Sequence, residues 1–370
     1  MTRPIIAVLV VVALALAGVA PAAASHGTGT ECSFQVTATD ASGTEVTVDQ
    51  APSSVVVLQP SAAQTMWEIG AQDKVVGMPK NPFTSYLNGT EGKTDVVGEQ
   101  STVLQSRVVD LDPDLVLAPN ITNADTVRSL RDAGLTVYFF EDAKSLEDVY
   151  QKTLLTGHLV GACEGADSRT DAMRSEAEEV RNAVAGEERP KVLYALGGGY
   201  TAGEGTFVHE LITAAGGENI AATAGISSYK PISNEVVVQQ NPDWIVIPEG
   251  RQLPAGEAVN STTAIQEGQV LRVNPNYLNQ AGPLNTIPLQ RMAEAFHPDA
   301  FAADATPTAT ATGSSSTGDT ATATDAGGAG ETVTPTDDSA TETPGANGPG
   351  FTAVVALVAA LVVAVLARRE

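Results

Sequence analysis

Few residues of this 370-residue chain have the type and spacing that chemistry requires. Its four histidines, at positions 26, 158, 209 and 297, are scattered, and none pairs with another at the spacing of a metal site. No G-x-S-x-G or H-E-x-x-H pattern occurs, because His209-Glu210 continues as Leu211-Ile212-Thr213. We therefore predict no catalytic residues, no cofactor and no metal ligands, which argues against an enzyme.

Two glycine-rich stretches are candidates for phosphate binding. Gly197-x-Gly199-x-x-Ala202 follows an apolar run and partly matches a dinucleotide-binding turn. The next helical pattern begins only near Phe207, so we interpret this stretch as a mobile, ligand-facing loop instead. Gly92-Lys93-Thr94 matches the end of a P-loop, but Leu87 occupies the position of the first glycine that a P-loop requires.

The charge of the chain limits its partners. The 44 acidic and 20 basic residues give a net charge of -24, which excludes nucleic acid binding, because phosphate binding requires a basic surface. The excess of carboxylates predicts either a solvated surface that keeps the protein soluble or a cation-binding surface. Only 7 of the basic residues are lysines, and this composition is typical of halophilic proteins.

Both ends of the chain have the composition of targeting or anchoring segments. Residues 5–19 are apolar and are followed by Ala22-Ala23-Ala24, which predicts a signal peptide at residues 1–24. Residues 304–348 are rich in Thr, Ser and Asp and predict a disordered stalk. Residues 351–367 are apolar and precede Arg368 and Arg369, which predicts a membrane helix within residues 349–370 and an outward-facing globular part.

Predicted export also makes a disulfide and N-glycosylation possible. An exported chain with only two cysteines favours a Cys32–Cys163 disulfide, although two separate buried thiols are the alternative. Three Asn-x-Ser/Thr sequons, at Asn88, Asn120 and Asn260, fall in predicted loops and are candidate glycosylation sites.

Between the two ends, strands and helices alternate in two blocks. Residues 34–48 predict a hairpin, and short apolar runs at 55–58, 74–77, 115–118 and 135–140 predict buried strands separated by helices. The pattern restarts with predicted strands at 191–196, 244–247 and 270–273. The sequence thus predicts an α/β fold with two Rossmann-like lobes that have parallel sheets, at 25–163 and 188–303, joined by one long rigid α-helix at 164–187.

A repeated sequence supports two related lobes. Asp112-Pro113-Asp114 in the first lobe and Asn241-Pro242-Asp243 in the second each follow a predicted helix and precede an apolar strand. We interpret each as a tight helix-to-strand turn. Ligands of open α/β sheets bind beyond the carboxyl ends of the strands, so we expect a small-molecule site in the cleft between the lobes.

Five segments, taken in order, resemble a known family. They are PSSVVVLQPSA at 52–62, IGAQDKVVG at 69–77, LDPDLV at 111–116, AAGGENI at 214–220 and SNEV at 233–236. In this order they are similar to the ABC-transporter binding proteins for cobalamin, haem and iron-siderophores, and the resemblance covers about residues 34–297. It implies two lobes on a rigid helix, a small-molecule ligand and an ABC transporter permease as partner.

The resemblance also implies which positions face the ligand. They are Pro60, Ser61, Ala62, Tyr86 and Asn120 in the first lobe, and Gly199, Tyr200, Thr201, Tyr229, Asn279 and Gln280 in the second. Tyrosine rings suit a flat macrocycle or catecholate rings, although a half-buried core position is the alternative for each tyrosine.

Cobalamin-carrying members of the family dock on transporter arginines through one Glu on each lobe. Glu235 matches the second-lobe Glu of these members. Ser106 stands at the first-lobe position, so docking there is expected to use the nearby Glu99 or Asp110, or to be asymmetric.

Pro349-Gly350-Phe351, directly before the apolar helix, resembles the PGF-CTERM signal of archaeal surface proteins, in which an archaeosortase replaces the helix with a lipid. An ordinary C-terminal anchor is the alternative. We expect a monomeric binding protein, anchored at the outer face of the cytoplasmic membrane, that delivers cobalamin or another corrinoid to an ABC importer. A ferric siderophore or haem is the alternative ligand, and a surface adhesion module is the alternative of another class.

Overall fold

The computed structural model describes residues 32–98, 101–254 and 256–302. The predicted signal peptide at 1–24, the stalk at 304–348 and the anchor at 349–370 lie outside these ranges, as does Glu99. Within the described ranges, no helix is both long enough and apolar enough to cross a membrane.

The N-terminal lobe is built on a five-stranded parallel sheet. The chain first forms an antiparallel hairpin of β1 (Val36–Thr39) and β2 (Glu45–Val48), as predicted. The strands of the sheet are β3 (Val55–Val57), β4 (Val75–Met78), β5 (Thr94–Asp95), β6 (Leu115–Ala118) and β7 (Val137–Phe139). Their spatial order is β5-β4-β3-β6-β7, so the sheet reverses its direction of growth between β3 and β6.

Helices cover both faces of this sheet because its strands are apolar on both sides. The helices of this half of the chain are α1 (Pro60–Glu68), α2 (Gln105–Asp110), α3 (Ala124–Asp132), α4 (Leu146–Val160) and α5 (Cys163–Ala183). Val55 and Val57 pack toward α1, whereas Val56 packs toward α2 and α3. This alternation follows from the two-residue period of a strand.

The C-terminal lobe repeats the arrangement with a four-stranded parallel sheet. The strands of this lobe are β8 (Lys191–Tyr194), β9 (Tyr200–Ala202), β10 (Glu218–Asn219), β11 (Tyr229–Pro231), β12 (Trp244–Pro248) and β13 (Val270–Val273). The sheet has the order β10-β8-β12-β13 and reverses between β8 and β12, while β9 and β11 form a separate antiparallel pair. The predicted α/β class with two parallel sheets is confirmed.

The helices of the C-terminal lobe are mostly short. They are α6 (Phe207–Ala214), α7 (Ile220–Thr223), α8 (Asn234–Gln240), α9 (Glu257–Asn260), α10 (Thr263–Gln266), α11 (Pro275–Leu278), α12 (Thr286–Phe296) and α13 (Pro298–Ala302). A 3-10 turn, Pro283–Asn285, leads into α12 and packs against α1 of the other lobe. This turn belongs to the segment that closes one side of the cleft.

A second helix runs between the lobes beside the predicted long one. On α5, Ala166 packs in the core of the N-terminal lobe and Met173 in the core of the C-terminal lobe. Along α4 the order of the two cores is reversed: Leu146, at its start, packs in the C-terminal core, and Leu159, near its end, packs in the N-terminal core. The chain therefore first crosses to the C-terminal lobe before α4, whereas the predicted boundary at residue 163 assigns the whole of α4 to the N-terminal lobe.

The turn between α4 and α5 is held against the N-terminal lobe in two ways. The predicted disulfide joins Cys163, the first residue of α5, to Cys32, and their Cα atoms are 5.5 Å apart. Gly165 packs on the end of α1, where any Cβ would collide with the carbonyl oxygen of Ile69. A side chain at this position would therefore push α5 away from α1.

The two Pro-Asp turns have the same structure in both lobes. Asp112 and Asn241 both adopt a left-handed backbone, with φ values of 43° and 47°. Asp114 and Asp243 then accept hydrogen bonds from the residues at the start of the neighbouring central strand. The repeated sequence thus has a structural role, because it aligns neighbouring strands in both lobes.

Candidate ligand-binding site

The carboxyl ends of the two parallel sheets face each other across a cleft. The segment that follows β4 touches the segment that follows β13. Gln280 Nε2 donates to the carbonyl of Phe83 (3.0 Å), and the rings of Tyr86 and Tyr277 meet edge to face with centroids 5.6 Å apart. Because both segments leave the carboxyl ends of their sheets, the cleft between the lobes is lined by strand ends.

Ligands of open α/β sheets bind where the strand order reverses. In the N-terminal lobe this switch point lies between β3 and β6; Pro60 and Ser61 follow β3 at the start of α1, and Asn120 follows β6. In the C-terminal lobe it lies between β8 and β12, and Gly199 belongs to the loop after β8. All four predicted residues are half-buried or exposed and follow these strand ends.

Two predicted positions point elsewhere. Ala62, on α1, is buried in the core of the N-terminal lobe. Thr201 is fully buried, and its hydroxyl donates to the carbonyl of Tyr194 (2.8 Å). Thr201 lies on β9, which was predicted as loop, because the strand exists only through its pairing with the distant β11. Both side chains are therefore part of the scaffold of the cleft.

Tyr86 belongs to the N-terminal lobe and lies at its contact with the C-terminal lobe. Its hydroxyl accepts a hydrogen bond from Gln64 Nε2 (2.8 Å), and burial raises the pKa of Tyr86 to about 12. Gln64 is fully buried; its Nε2 also donates to the carbonyl of Asn276 (3.2 Å), and its Oε1 accepts from the N–H of Leu284 (3.1 Å). Gln64 thus orients Tyr86 and joins α1 to the other lobe.

The C-terminal lobe contributes further tyrosines. Tyr200 and Tyr229 are half-buried on the paired strands β9 and β11. The fully buried Tyr194 donates its hydroxyl hydrogen to Oδ1 of the exposed Asn279 (2.8 Å), which fixes that predicted residue. Burial raises the pKa of both Tyr194 and Tyr229, so these rings are neutral phenols near neutral pH.

The contact between α4 and the segment after α11 contains an amine that the sequence analysis did not single out. Lys152, halfway along α4, donates from Nζ to the carbonyl of Ala281 (2.8 Å), beside the buried Gln280. Burial lowers the pKa of Lys152 to about 8, and the Asp142 carboxylate opposes that shift. The segment at residues 279–284 is therefore bonded to α4 as well as to α1.

Two more residues at the switch points were missed. Ile121, next to Asn120, is 65% exposed and offers an apolar surface. Arg251 follows β12, and its side chain passes over Gly197 in the loop after β8. Their positions directly after apolar strands were the available signal, but neither belongs to a recognisable motif.

The predicted docking positions are equivalent in the two lobes. Glu235 is the second residue of α8 and Ser106 the second residue of α2, and both are exposed. Each lies six positions before the left-handed residue of its Pro-Asp turn, which is Asn241 for Glu235 and Asp112 for Ser106. Of the first-lobe alternatives, Asp110 is exposed at the end of α2.

The described residues also include the three sequons, and their side chains decide whether a metal ion or an organic molecule suits the cleft. Asn88 and Asn260 are exposed, whereas the sequon residue Asn120 is half-buried at the switch point. Within residues 32–98, 101–254 and 256–302, no group of three or more His, Cys, Asp or Glu side chains could hold a metal ion. The cleft instead presents phenol rings, amides and one guanidinium, which suit an organic ligand bound by stacking and hydrogen bonds.

Comparison with known proteins agrees with this architecture. The chain belongs to the periplasmic binding protein family, whose model matches residues 55–277. A cobalamin-binding protein of Halobacterium salinarum is 44% identical over 318 residues, which cover 80% of this chain and 86% of that protein. An ABC transporter substrate-binding lipoprotein of Bacillus subtilis is 30% identical over 280 residues, which cover 72% of this chain and 87% of the relative.

A solved structure has the same fold. It is the apo form of a periplasmic haem-binding protein from Roseiflexus, which is 25% identical to this chain with a TM-score of 0.60. The match covers 67% of this chain and 98% of that protein. The two-lobed fold of this chain is thus similar to that of the Roseiflexus protein.

Proposed function

We propose that the protein captures cobalamin or another corrinoid in the interlobe cleft outside the cytoplasmic membrane and delivers it to the permease of an ABC importer. The observation that carries the proposal is the 44% identity, over 80% of this chain, to the cobalamin-binding protein of Halobacterium salinarum. The importer as partner is supported by the Bacillus subtilis relative, which is an ABC transporter substrate-binding lipoprotein.

The chemistry of the cleft is compatible with a large, flat ligand that carries many amides. Tyr86 and Tyr277, where the two lobes touch, and Tyr200 and Tyr229, on the C-terminal lobe, offer ring faces and edges. The exposed Ile121 adds apolar surface at the N-terminal switch point. A corrin ring needs apolar and aromatic contact for its faces and hydrogen-bonding groups for its amide side chains.

Binding, rather than catalysis, is the role that the titratable groups support. The pKa of Tyr86, Tyr194 and Tyr229 is raised by burial in each case, so none supplies a phenolate nucleophile near neutral pH. Lys152 is the one amine with a lowered pKa among the described residues, and its Nζ donates a hydrogen bond to the carbonyl of Ala281. These groups hold the walls of the cleft in place.

The location of the protein follows from segments outside the described residues. Under this proposal a signal peptide at 1–24 directs export, and residues 304–348 form a stalk above the membrane. The signal Pro349-Gly350-Phe351 then directs an archaeosortase to exchange the C-terminal helix for a lipid. The protein acts as a monomer, and Glu235 contacts an arginine of the permease.

Calorimetric titration of the purified protein with cyanocobalamin, haem and a ferric siderophore tests the ligand. We expect cyanocobalamin to bind with 1:1 stoichiometry and a dissociation constant of about 1 μM or lower. Binding of haem or the siderophore with no heat from cyanocobalamin would overturn the corrinoid proposal and leave the binding-protein class intact.

Haem is the second candidate, and one observation favours it. The Roseiflexus protein, which is 25% identical, is a haem-binding protein. Tyr200 is half-buried on β9 and its hydroxyl has no hydrogen-bond partner within the described ranges, so its oxygen could ligate ferric iron. A Soret band that shifts in wild type and not in Tyr200→Phe would support this alternative.

A further inference from the structure

Arg251 occupies the C-terminal side of the ligand cleft. It lies in the loop after β12, at the switch point beside the end of β8. Its backbone N–H donates to the carbonyl of Pro248 (3.1 Å), and its own carbonyl accepts from Arg272 Nη1 (2.9 Å). Its side chain passes over Gly197, where a Cβ would lie 3.5 Å from Arg251 Cδ. Arg251 is therefore held near the carboxyl ends of the strands, where ligands of open α/β sheets bind.

The guanidinium of Arg251 has no partner within the described residues. Three described arginines are partly buried, and two of them form ion pairs: Arg131 with Asp40, and Arg169 with Glu68. Arg251, the third, makes no side-chain hydrogen bond or ion pair with residues 32–98, 101–254 or 256–302, although the chain contains 44 acidic residues. Of the three partly buried arginines, Arg251 alone thus has no hydrogen-bond or ion-pair partner for its guanidinium among the described residues.

Such an arrangement is unfavourable without a ligand. A partly buried guanidinium gives up hydration, and hydrogen bonds normally replace what is lost. The nearby polar side chains do not replace it, since the Tyr194 hydroxyl is already bonded to Asn279 and carries no charge. A guanidinium presents five N–H donors in a planar fork that matches the oxygens of a phosphate or carboxylate. A phosphate or carboxylate oxygen is therefore the partner that this guanidinium fits best.

We propose that Arg251 binds an anionic group of the ligand and so selects the phosphate- or carboxylate-bearing members of the ligand class. This inference rests on the proposed function and deepens it. For cobalamin the anionic group is the single phosphodiester that joins the nucleotide to the corrin. Cobinamide has the same corrin ring and lacks the nucleotide, so it cannot make the contact.

Titrations of wild type and Arg251→Gln with cyanocobalamin and dicyanocobinamide test the contact. We expect the substitution to weaken cyanocobalamin binding about tenfold and to leave dicyanocobinamide binding unchanged, because a hydrogen bond between charged groups is lost for one ligand only. Arg251→Lys keeps the charge but not the fork, so it should retain part of the preference. Arg291→Gln, at an exposed position on α12, is the matched control and should alter neither affinity.

The outcomes separate this inference from the proposed function. Equal weakening of both corrinoids in Arg251→Gln, or no weakening of either, overturns the Arg251 contact while the corrinoid function stands. If the wild type binds haem and no corrinoid, the corrinoid function fails, and the same variants are titrated with haem and its dimethyl ester. A loss confined to free haem supports the inference. A loss shared by the ester, or a wild type with no preference for the anionic member of either pair, overturns it.

Discussion

The Asp114 carboxylate accepts two hydrogen bonds from Ser54, one from the backbone N–H (2.9 Å) and one from the hydroxyl (3.0 Å). Its counterpart in the C-terminal lobe, Asp243, accepts from the backbone N–H of Lys191 (2.7 Å). In both lobes the aspartate thereby joins the start of one strand to the start of its neighbour. The turn that repeats in the sequence is explained by strand alignment, and the ligand site lies at the opposite ends of the same strands.

Asp114→Asn should lower the free energy of unfolding at pH 7 by about 1 kcal/mol, a modest value because the carboxylate is exposed to solvent. Hydrogen bonds from the Ser53 side chain and from the backbone of Ser54 hold the pKa of Asp114 at about 2, below the value of about 3.9 in an unfolded chain. The stabilisation is present above pH 4 and is lost as the pH falls from about 4 to about 2.

Urea denaturation of wild type and variant from pH 7 to pH 2 measures this effect. The exposed Asp110→Asn is the control for removal of one negative charge from the same turn region. A difference in stability that stays constant across this pH range would contradict the assigned role of Asp114.

The sequence indicated the central strands of both lobes because buried parallel strands are short, uniformly apolar runs. It did not indicate β9 and β11, since each is stable only when paired with the other. The dual packing of α4 was also hidden, because Leu146 and Leu159 look alike in sequence although they lie in different cores. Arg251 could not be identified as a site residue, because what distinguishes it is an absent ion pair, and that is a property of the fold.

Gln64→Ala should destabilise the protein by about 2–3 kcal/mol. The substitution leaves the partly buried carbonyl of Asn276 and N–H of Leu284 without their partner and removes the donor to Tyr86. Thermal and urea denaturation measure the loss. Gln105→Ala, at an exposed position on α2, is the control and should change stability by less than about 0.5 kcal/mol. An equal effect of the two substitutions would remove Gln64 from the interlobe contact.

The lobes should change their relative orientation little when a ligand binds. Both α4 and α5 pack in the two cores, and Arg169 on α5 bonds to Glu68 of one lobe and to the Pro283 carbonyl of the other. Small-angle scattering with and without cyanocobalamin should give nearly the same radius of gyration. A large compaction on binding would show that these connections bend.

Lys152→Met should change how stability depends on pH. The folded-state pKa of Lys152, lowered to about 8 by burial, lies below the unfolded value of about 10.4, so the unfolded chain binds more protons between these values. The wild type should therefore gain stability relative to the variant as the pH rises from about 8 to 10, by up to about 2 kcal/mol. Denaturation at pH 7, 8, 9 and 10 measures the gain, with the exposed Lys144→Met as control. A flat difference would contradict a desolvated ammonium.

Glu235→Gln should reduce transport without affecting folding or ligand binding. Ser233 already caps α8, because its hydroxyl accepts from the N–H of Val236 (3.3 Å), so the Glu235 carboxylate is not needed as a cap. An exposed carboxylate that pairs with a permease arginine contributes most at low ionic strength. We expect unchanged cyanocobalamin affinity, a stability within about 0.5 kcal/mol of wild type, and slower uptake into vesicles that carry the importer, most clearly at low salt.

Two further substitutions separate docking from capping. Ser233→Ala should cost about 1 kcal/mol of stability and leave uptake intact, because it removes the cap and keeps the charge of Glu235. Ser106→Glu places a carboxylate at the equivalent position of the N-terminal lobe, where the wild type has none, and should raise uptake at low salt if the permease presents an arginine to each lobe. Uptake that is the same in wild type, Glu235→Gln and Ser106→Glu at every salt concentration would place the docking surface elsewhere on the protein.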